Sequence, residues 1–193
     1  MPRTVDLPDQ RVWLRVADPA WPNPLDPTFA QINGNRWNAP GSYTTLYLNA
    51  DVITARLQIE RMCAGWPVTP EDLADDAYTL VAATIASEQR AADVVTDQGV
   101  ETVGLPATYP IDAEGNSISH RTCQPIGQLI FDAGLNGVWC RSACSGDGRG
   151  RELAWFARSQ AATALWDQPL PFGRWRYAEE WSDLGFPNQT SPG

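Results

Sequence analysis

Lysine is absent from this chain, and all 14 basic residues are arginine. That excludes a phosphate-cradling P-loop lysine, a kinase-type lysine and Schiff-base catalysis. Histidine occurs once, as His120 in the turn-like stretch "NSISHRT". A Ser–His–Asp triad would have to use that residue, and a surface histidine is the plainer reading. The four cysteines (Cys63, Cys123, Cys140 and Cys144) form no CxxC pair. Cys140, Cys144 and His120 lack a fourth zinc ligand of suitable spacing, so the expectation is reduced, buried thiols and no metal site. Long apolar runs are missing too: "YTLVAATIA" falls well short of the roughly 20 residues that span a bilayer. The opening "MPRTVDLPDQ" has no apolar signal-peptide core, and a cytoplasmic protein without membrane contact is expected. Finally, no GxGxxG turn joins a strand to a helix. The glycine-rich "GDGRG" at 146–150 lies between two strand-like runs and reads as a loop.

What remains is an ordinary globular composition, with 43% hydrophobic and 19% charged residues in 193. A single domain spanning 1–193 is expected. The net charge of −9 is unevenly spread. Residues 51–118 hold 12 acids against 3 arginines, whereas the rest of the chain holds 11 of each. Such a chain lacks the basic footprint of a nucleic-acid binder, so no direct nucleic-acid contact is expected. Any anionic ligand must be gripped by a few well-placed arginines.

The pattern of elements is mixed. Strands are expected at "RVWLRVA" (11–17), "TTLYLN" (44–49), "AYTLVAATIA", "AADVVT", "GVWCRSA" (137–143) and "ELAWFA" (152–157). Helices are expected at about 50–64, capped by Asn49, and at 123–134, ending at Gly134. A further helix at "SQAATALW" and a strand near "GRWRYAEEW" would close the chain. Strands do not alternate regularly with helices, so the expected class is α+β rather than a doubly wound sheet.

Four residues stand out as chemistry candidates. On a helical wheel, Glu60 shares an arc with Ile53, Leu57 and Ala64, where a carboxylate would be costly unless paired or used. The plain alternative places it at a helix edge beside a surface arginine. Arg36 in "GNRWN" could be an exposed turn residue, Tyr47 in "TLYLN" a core residue, and Ser142 in "WCRSACSG" ordinary strand-end chemistry.

Their joint order says more. "VWLRVA", "GNRWNAPG", "TLYLNADVITARLQIE", "IGQLIFDAGLNGVWCRSA" and "ELAWF" together resemble the RES-domain family over about residues 11–158. The second block is looser than the first: Arg141 stands where many members carry proline, and the acidic segment 65–118 has no matching motif. By motif position, Arg15, Arg36, Tyr47, Glu60 and Ser142 fall where that family carries functional residues. The family contains the toxins of Xre–RES toxin–antitoxin pairs, and its fold is similar to that of ADP-ribosyltransferases.

The resemblance implies an NAD-degrading enzyme that cleaves the nicotinamide–ribose bond by phosphorolysis or hydrolysis. NAD is then a consumed substrate rather than a cofactor, with phosphate a candidate co-substrate. In this reading Glu60, Arg36 and Ser142 are catalytic, and Arg15, Arg36, Tyr47 and Ser142 bind NAD. The implied partner is an Xre-type antitoxin, and homo-oligomerisation stays open. Two other functions compete. One is transfer of ADP-ribose to a protein. The other is a non-catalytic binding protein whose nine tryptophans line a contact surface.

Overall fold

The computed structural model of the chain describes residues 1–158, 160–189 and 192. Nine strands are described: β1 (Thr4–Asp6), β2 (Trp13–Ala17), β3 (Thr45–Asn49), β4 (Thr79–Thr84), β5 (Arg90–Val94), β6 (Gly137–Arg141), β7 (Arg151–Phe156), β8 (Thr163–Ala164) and β9 (Leu170–Pro171). They form one sheet of order β1-β5-β6-β7-β3-β2-β4-β8, with β9 also pairing with β4. Only β5 and β6 run parallel among these pairs. The helices are α1 (Thr28–Asn33), α2 (Val52–Cys63), α3 (Asp97–Thr102), α4 (His120–Asp132) and α5 (Phe172–Trp175). A large mixed sheet with few helices fits the expected α+β class.

Side chains alternate across a strand, so each strand serves two cores. Trp13, Leu46, Leu48, Trp139, Leu153 and Trp155 pack together on one face. On the other face, Val138, Cys140, Ala154 and Phe156 join residues of α3 and α4. Further along that face, Leu14, Val16, Leu80 and Ala82 meet α2 and α5. Both faces of the central strands are therefore dry, which explains runs such as "LAWF" with no polar alternation.

Helix α2 is set by its cap and its apolar stripe. Asp51, rather than Asn49, caps it by accepting from Thr54 N–H at 2.7 Å. Val52, Ala55, Ile59 and Cys63, spaced three and four apart, face the core. Helix α4 is capped by Ser119 and begins three residues before the expected start. At its far end Arg158 donates to the carbonyls of Phe131 and Leu135 and stacks over the Phe131 ring at 4.0 Å. A cation there satisfies the unpaired carbonyls and suits the helix dipole. Gly127 lets α4 press against the turn at Trp37, since a Cβ there would stand 1.9 Å from the Trp37 carbonyl oxygen.

The end of the chain differs from expectation. In place of a helix at "SQAATALW", residues 163–164 form β8, and Ser159 lies outside the described residues. In place of a strand near "GRWRYAEEW" there is α5, followed by a 3₁₀ turn at Trp181–Leu184. Here Phe172, Trp175, Trp181 and Leu184 bury themselves against the core beside α2, so tertiary packing overrides aromatic strand propensity. Among the described residues, no helix is long and apolar enough to cross a membrane.

Candidate active site

The cleft lies where α2, α4 and the 34–38 turn meet the sheet face carrying Tyr47, Asn49 and Glu152. It encloses ≈ 230 Å³. Register explains its floor: Asn49 on β3 pairs with Glu152 on β7, which pairs with Cys140 on β6. Helix α2 turns Gln58 and Arg61 toward it, and His120 opens α4 at its mouth. Among the described lining residues, Glu152 is the one carboxylate.

Glu152 is recessed but still reachable from the cleft. Burial pushes its carboxyl above the usual glutamate range, while donors on Ser142 and Cys144 and the nearby Arg36 charge pull the other way. Ser142 donates a short hydrogen bond to its Oε1, and the Cys144 thiol donates to the same oxygen at 3.5 Å. Cys144 is half-buried in the cleft wall, while the other three cysteines are buried. Burial pushes its thiol up to about 12, which keeps it protonated and unreactive at neutral pH.

Arg36 projects from the turn before β3. Its Nη1 donates to the Ile118 carbonyl at 2.6 Å, and its Nη2 approaches Ser117 Oγ at 3.5 Å. The guanidinium thereby ties the segment entering α4 to the cleft while keeping a charged face on the cavity. His120 is held below its ordinary range by burial and by the Arg36 charge, so it is a neutral polar group at neutral pH. Asn49 Nδ2 donates to Gln58 Oε1 at 2.9 Å, which leaves the Gln58 amide hydrogens free as donors.

Tyr47 lines the cleft, but its hydroxyl serves the protein. It accepts from the Trp37 N–H at 2.9 Å and donates to Asn38 Oδ1 at 2.8 Å. These bonds pin the turn that carries Arg36. Tyr47→Phe is therefore expected to cost about 1–3 kcal/mol of stability, because the Trp37 N–H loses its partner. Chemical denaturation of the pair checks this; equal midpoints would show that the hydroxyl pins nothing.

Two expected site residues lie elsewhere. Arg15 follows Leu14 on β2, so its side chain emerges on the opposite face from the cleft. There it donates to the Tyr47 carbonyl at 3.3 Å and lies 5.6 Å from the Trp21 ring. Glu60 is exposed and lies with Arg56, Glu71 and Arg176 in a separate small hollow. The wheel arc assigned to it is split: Leu57 is buried, but Glu60 and Ala64 are exposed and Ile53 is 51% exposed. An outward isoleucine imitated a core position. Glu60→Gln is expected to change stability by less than about 0.5 kcal/mol and leave any cleft activity unchanged. A large loss of activity in a folded variant would refute this placement.

Ser142 is adjacent to the cleft but completely enclosed, so its hydroxyl faces Glu152 rather than a ligand. Glu152, Gln58, Asn49, Arg61 and Cys144 also line the cleft, although none stands out in the sequence as a site candidate. A signal for Glu152 was present: it begins a strand whose following residues are apolar on both faces, so either orientation makes it costly. Six of the nine tryptophans (Trp13, Trp37, Trp139, Trp155, Trp175 and Trp181) are buried. The tryptophan-lined contact surface is thus largely absent.

The fold and cleft together define an α+β domain that holds a recessed carboxylate among arginines and amides. The chain is similar in structure to a chain of the M. tuberculosis MbcT–MbcA toxin–antitoxin complex, with a TM-score of 0.69 at 20% sequence identity over 90% of each chain. At that identity the likeness shows a shared fold. No protein-family model matches the chain, and no curated protein matches its sequence.

Proposed function

We propose that this chain is the toxin of a toxin–antitoxin pair and acts by cleaving the nicotinamide–ribose bond of NAD. The observation that carries the reading is Glu152, a recessed carboxylate facing a cleft otherwise lined by Arg36, Arg61, neutral His120 and amide side chains. The toxin role rests on the shared fold with a chain of a toxin–antitoxin complex.

Breaking a bond from ribose to a departing nicotinamide develops positive charge on the sugar. A fixed anion in a water-poor cleft stabilises that charge more than one in bulk water does. Glu152 takes this role in place of Glu60. Arg36, whose planar fork suits phosphate oxygens, grips the pyrophosphate or an attacking phosphate. Gln58 and Arg61 offer further donors, and the acceptors they require are ribose hydroxyl and phosphate oxygens. The ring of Tyr47 gives the cationic nicotinamide a flat neighbour. NAD is consumed, so no resident cofactor is needed. The partner is an Xre-type antitoxin, and any DNA contact in the complex comes from that partner because this chain carries −9.

The test is incubation of the purified chain, free of antitoxin, with NAD labelled in the ribose next to nicotinamide, with and without phosphate. Free nicotinamide is the expected product. The fate of the label distinguishes water, phosphate and a protein side chain as acceptor. NAD that stays intact both with and without phosphate would remove the enzymatic reading.

A further inference from the structure

We infer that Ser142 is a positioning residue, whose hydroxyl fixes one oxygen of Glu152 so that the other faces the cleft. The inference rests on the reading of the cleft just given. Ser142 has no accessible surface, so it cannot touch a ligand. Its Oγ accepts the Cys144 N–H at 3.1 Å, which leaves its single proton for Glu152 Oε1. The Cys144 thiol donates to that same Oε1. Both donors converge on one oxygen, and among the described residues Oε2 receives no protein hydrogen bond. Oε2 is not sealed off either: it is not among the buried unpartnered polar atoms, and Glu152 lines the cleft.

The serine itself is held by the backbone. Its N–H donates to the Gly150 carbonyl at 3.1 Å, closing the base of the 143–150 loop. That loop docks on α2 through Arg151 N–H, which donates to Thr54 Oγ1 at 3.0 Å. Gly150, at φ +75°, permits the approach, since a Cβ there would stand 2.8 Å from Thr54 Oγ1. The chain of support therefore runs from the capped start of α2, through the glycine-rich loop, to Ser142 and then to the carboxylate plane. A carboxyl group locked at one oxygen presents the other at a fixed angle, which an electrostatic catalyst needs. The donors also favour the ionised form against the cost of burial.

Ser142→Ala and Ser142→Cys test this, read by three measurements: melting temperature, the pH dependence of NAD consumption, and titration of Glu152 by NMR of carboxyl-labelled glutamate. The Glu152 signal is identified by its loss in Glu152→Gln. In Ser142→Ala the Glu152 titration is expected to rise by about one to two pH units, because a donor to the charged form is gone. The acidic limb of kcat/KM should move the same way. kcat should fall roughly tenfold to a hundredfold with KM nearly unchanged. The cysteine variant, with a weaker donor, should fall between. An unshifted Glu152 titration in a folded variant would overturn the inference, as would a rise in KM alone. If Ser142→Ala does not fold, Ser142→Cys carries the same decision. The NMR titration stands even if the chain consumes no NAD, so the two readings fail separately.

Discussion

Glu152→Gln is expected to abolish most NAD cleavage while leaving nucleotide binding in place. The amide keeps the volume, and its oxygen can still accept from Ser142 and Cys144. Only the charge facing the cleft is lost. One well-aimed electrostatic group is worth ~2.7–4 kcal/mol, or roughly a hundredfold to a thousandfold in rate. The same variant carries a second, independent signature in stability. Burial raises the Glu152 carboxyl above its unfolded value, so the fold favours the protonated acid. That favourable contribution is present below the unfolded carboxylate range and fades as pH rises through the raised folded value. Glutamine does not titrate. The melting temperature of Glu152→Gln should therefore gain on the parent as pH climbs from the ordinary glutamate range, and then level off. Equal NAD cleavage by the two proteins would sink the assignment of Glu152. A constant difference in melting temperature across pH would show that its titration is not coupled to folding.

The acidic excess lies in residues 51–118, which include α2, β4, β5 and α3. Part of it is structural. Asp51 caps α2, Asp72 accepts from Thr69, and Asp93 binds both Arg3 and the Thr96 cap of α3. The segment without a matching motif, 65–118, supplies β4, β5 and α3 together with Asp72 and Asp93, rather than a separate acidic arm.

The central sheet was legible because its strands are apolar on both faces: the cores of β2, β3, β4, β6 and β7 all fall inside the expected runs. The short pieces were not. β1 and β8 have three and two residues and gain their shape only by pairing with β5 and β4. The site was legible where the chain is locally constrained. The turn at 34–38 and the strand after it place Arg36 and Tyr47 in one cleft. Glu60 lies off the cleft, against expectation, because α2 has an exposed Ile53 and an inward Gln58, so polarity reads its faces wrongly at those two positions. Arg15 lies off the cleft for a different reason. A strand offers two faces, and which one meets the cleft is decided by helices far away in sequence. Glu152 needed the sheet itself, since only register sets it beside Asn49 and Cys140.

Arg36→Ala should show two effects that the sequence alone would not have joined. The side chain grips both the cleft and the Ile118 carbonyl. If it holds phosphate oxygens as proposed, its loss removes a charge-assisted contact worth about 1.5–3 kcal/mol, and NAD consumption should fall by roughly tenfold to a hundredfold. It also strips a donor from a buried stretch of backbone at the entry to α4, and stability should drop by about 1–3 kcal/mol. Arg36→Lys separates the two. A lysine keeps the positive charge but loses the fork, so it cannot hold a phosphate oxygen and the Ile118 carbonyl in the same planar arrangement. Activity in Arg36→Lys should remain well below that of the parent, even where the fold recovers. If Arg36→Ala is less stable but consumes NAD at the parental rate per folded molecule, Arg36 is a strut of the cleft and not a phosphate ligand.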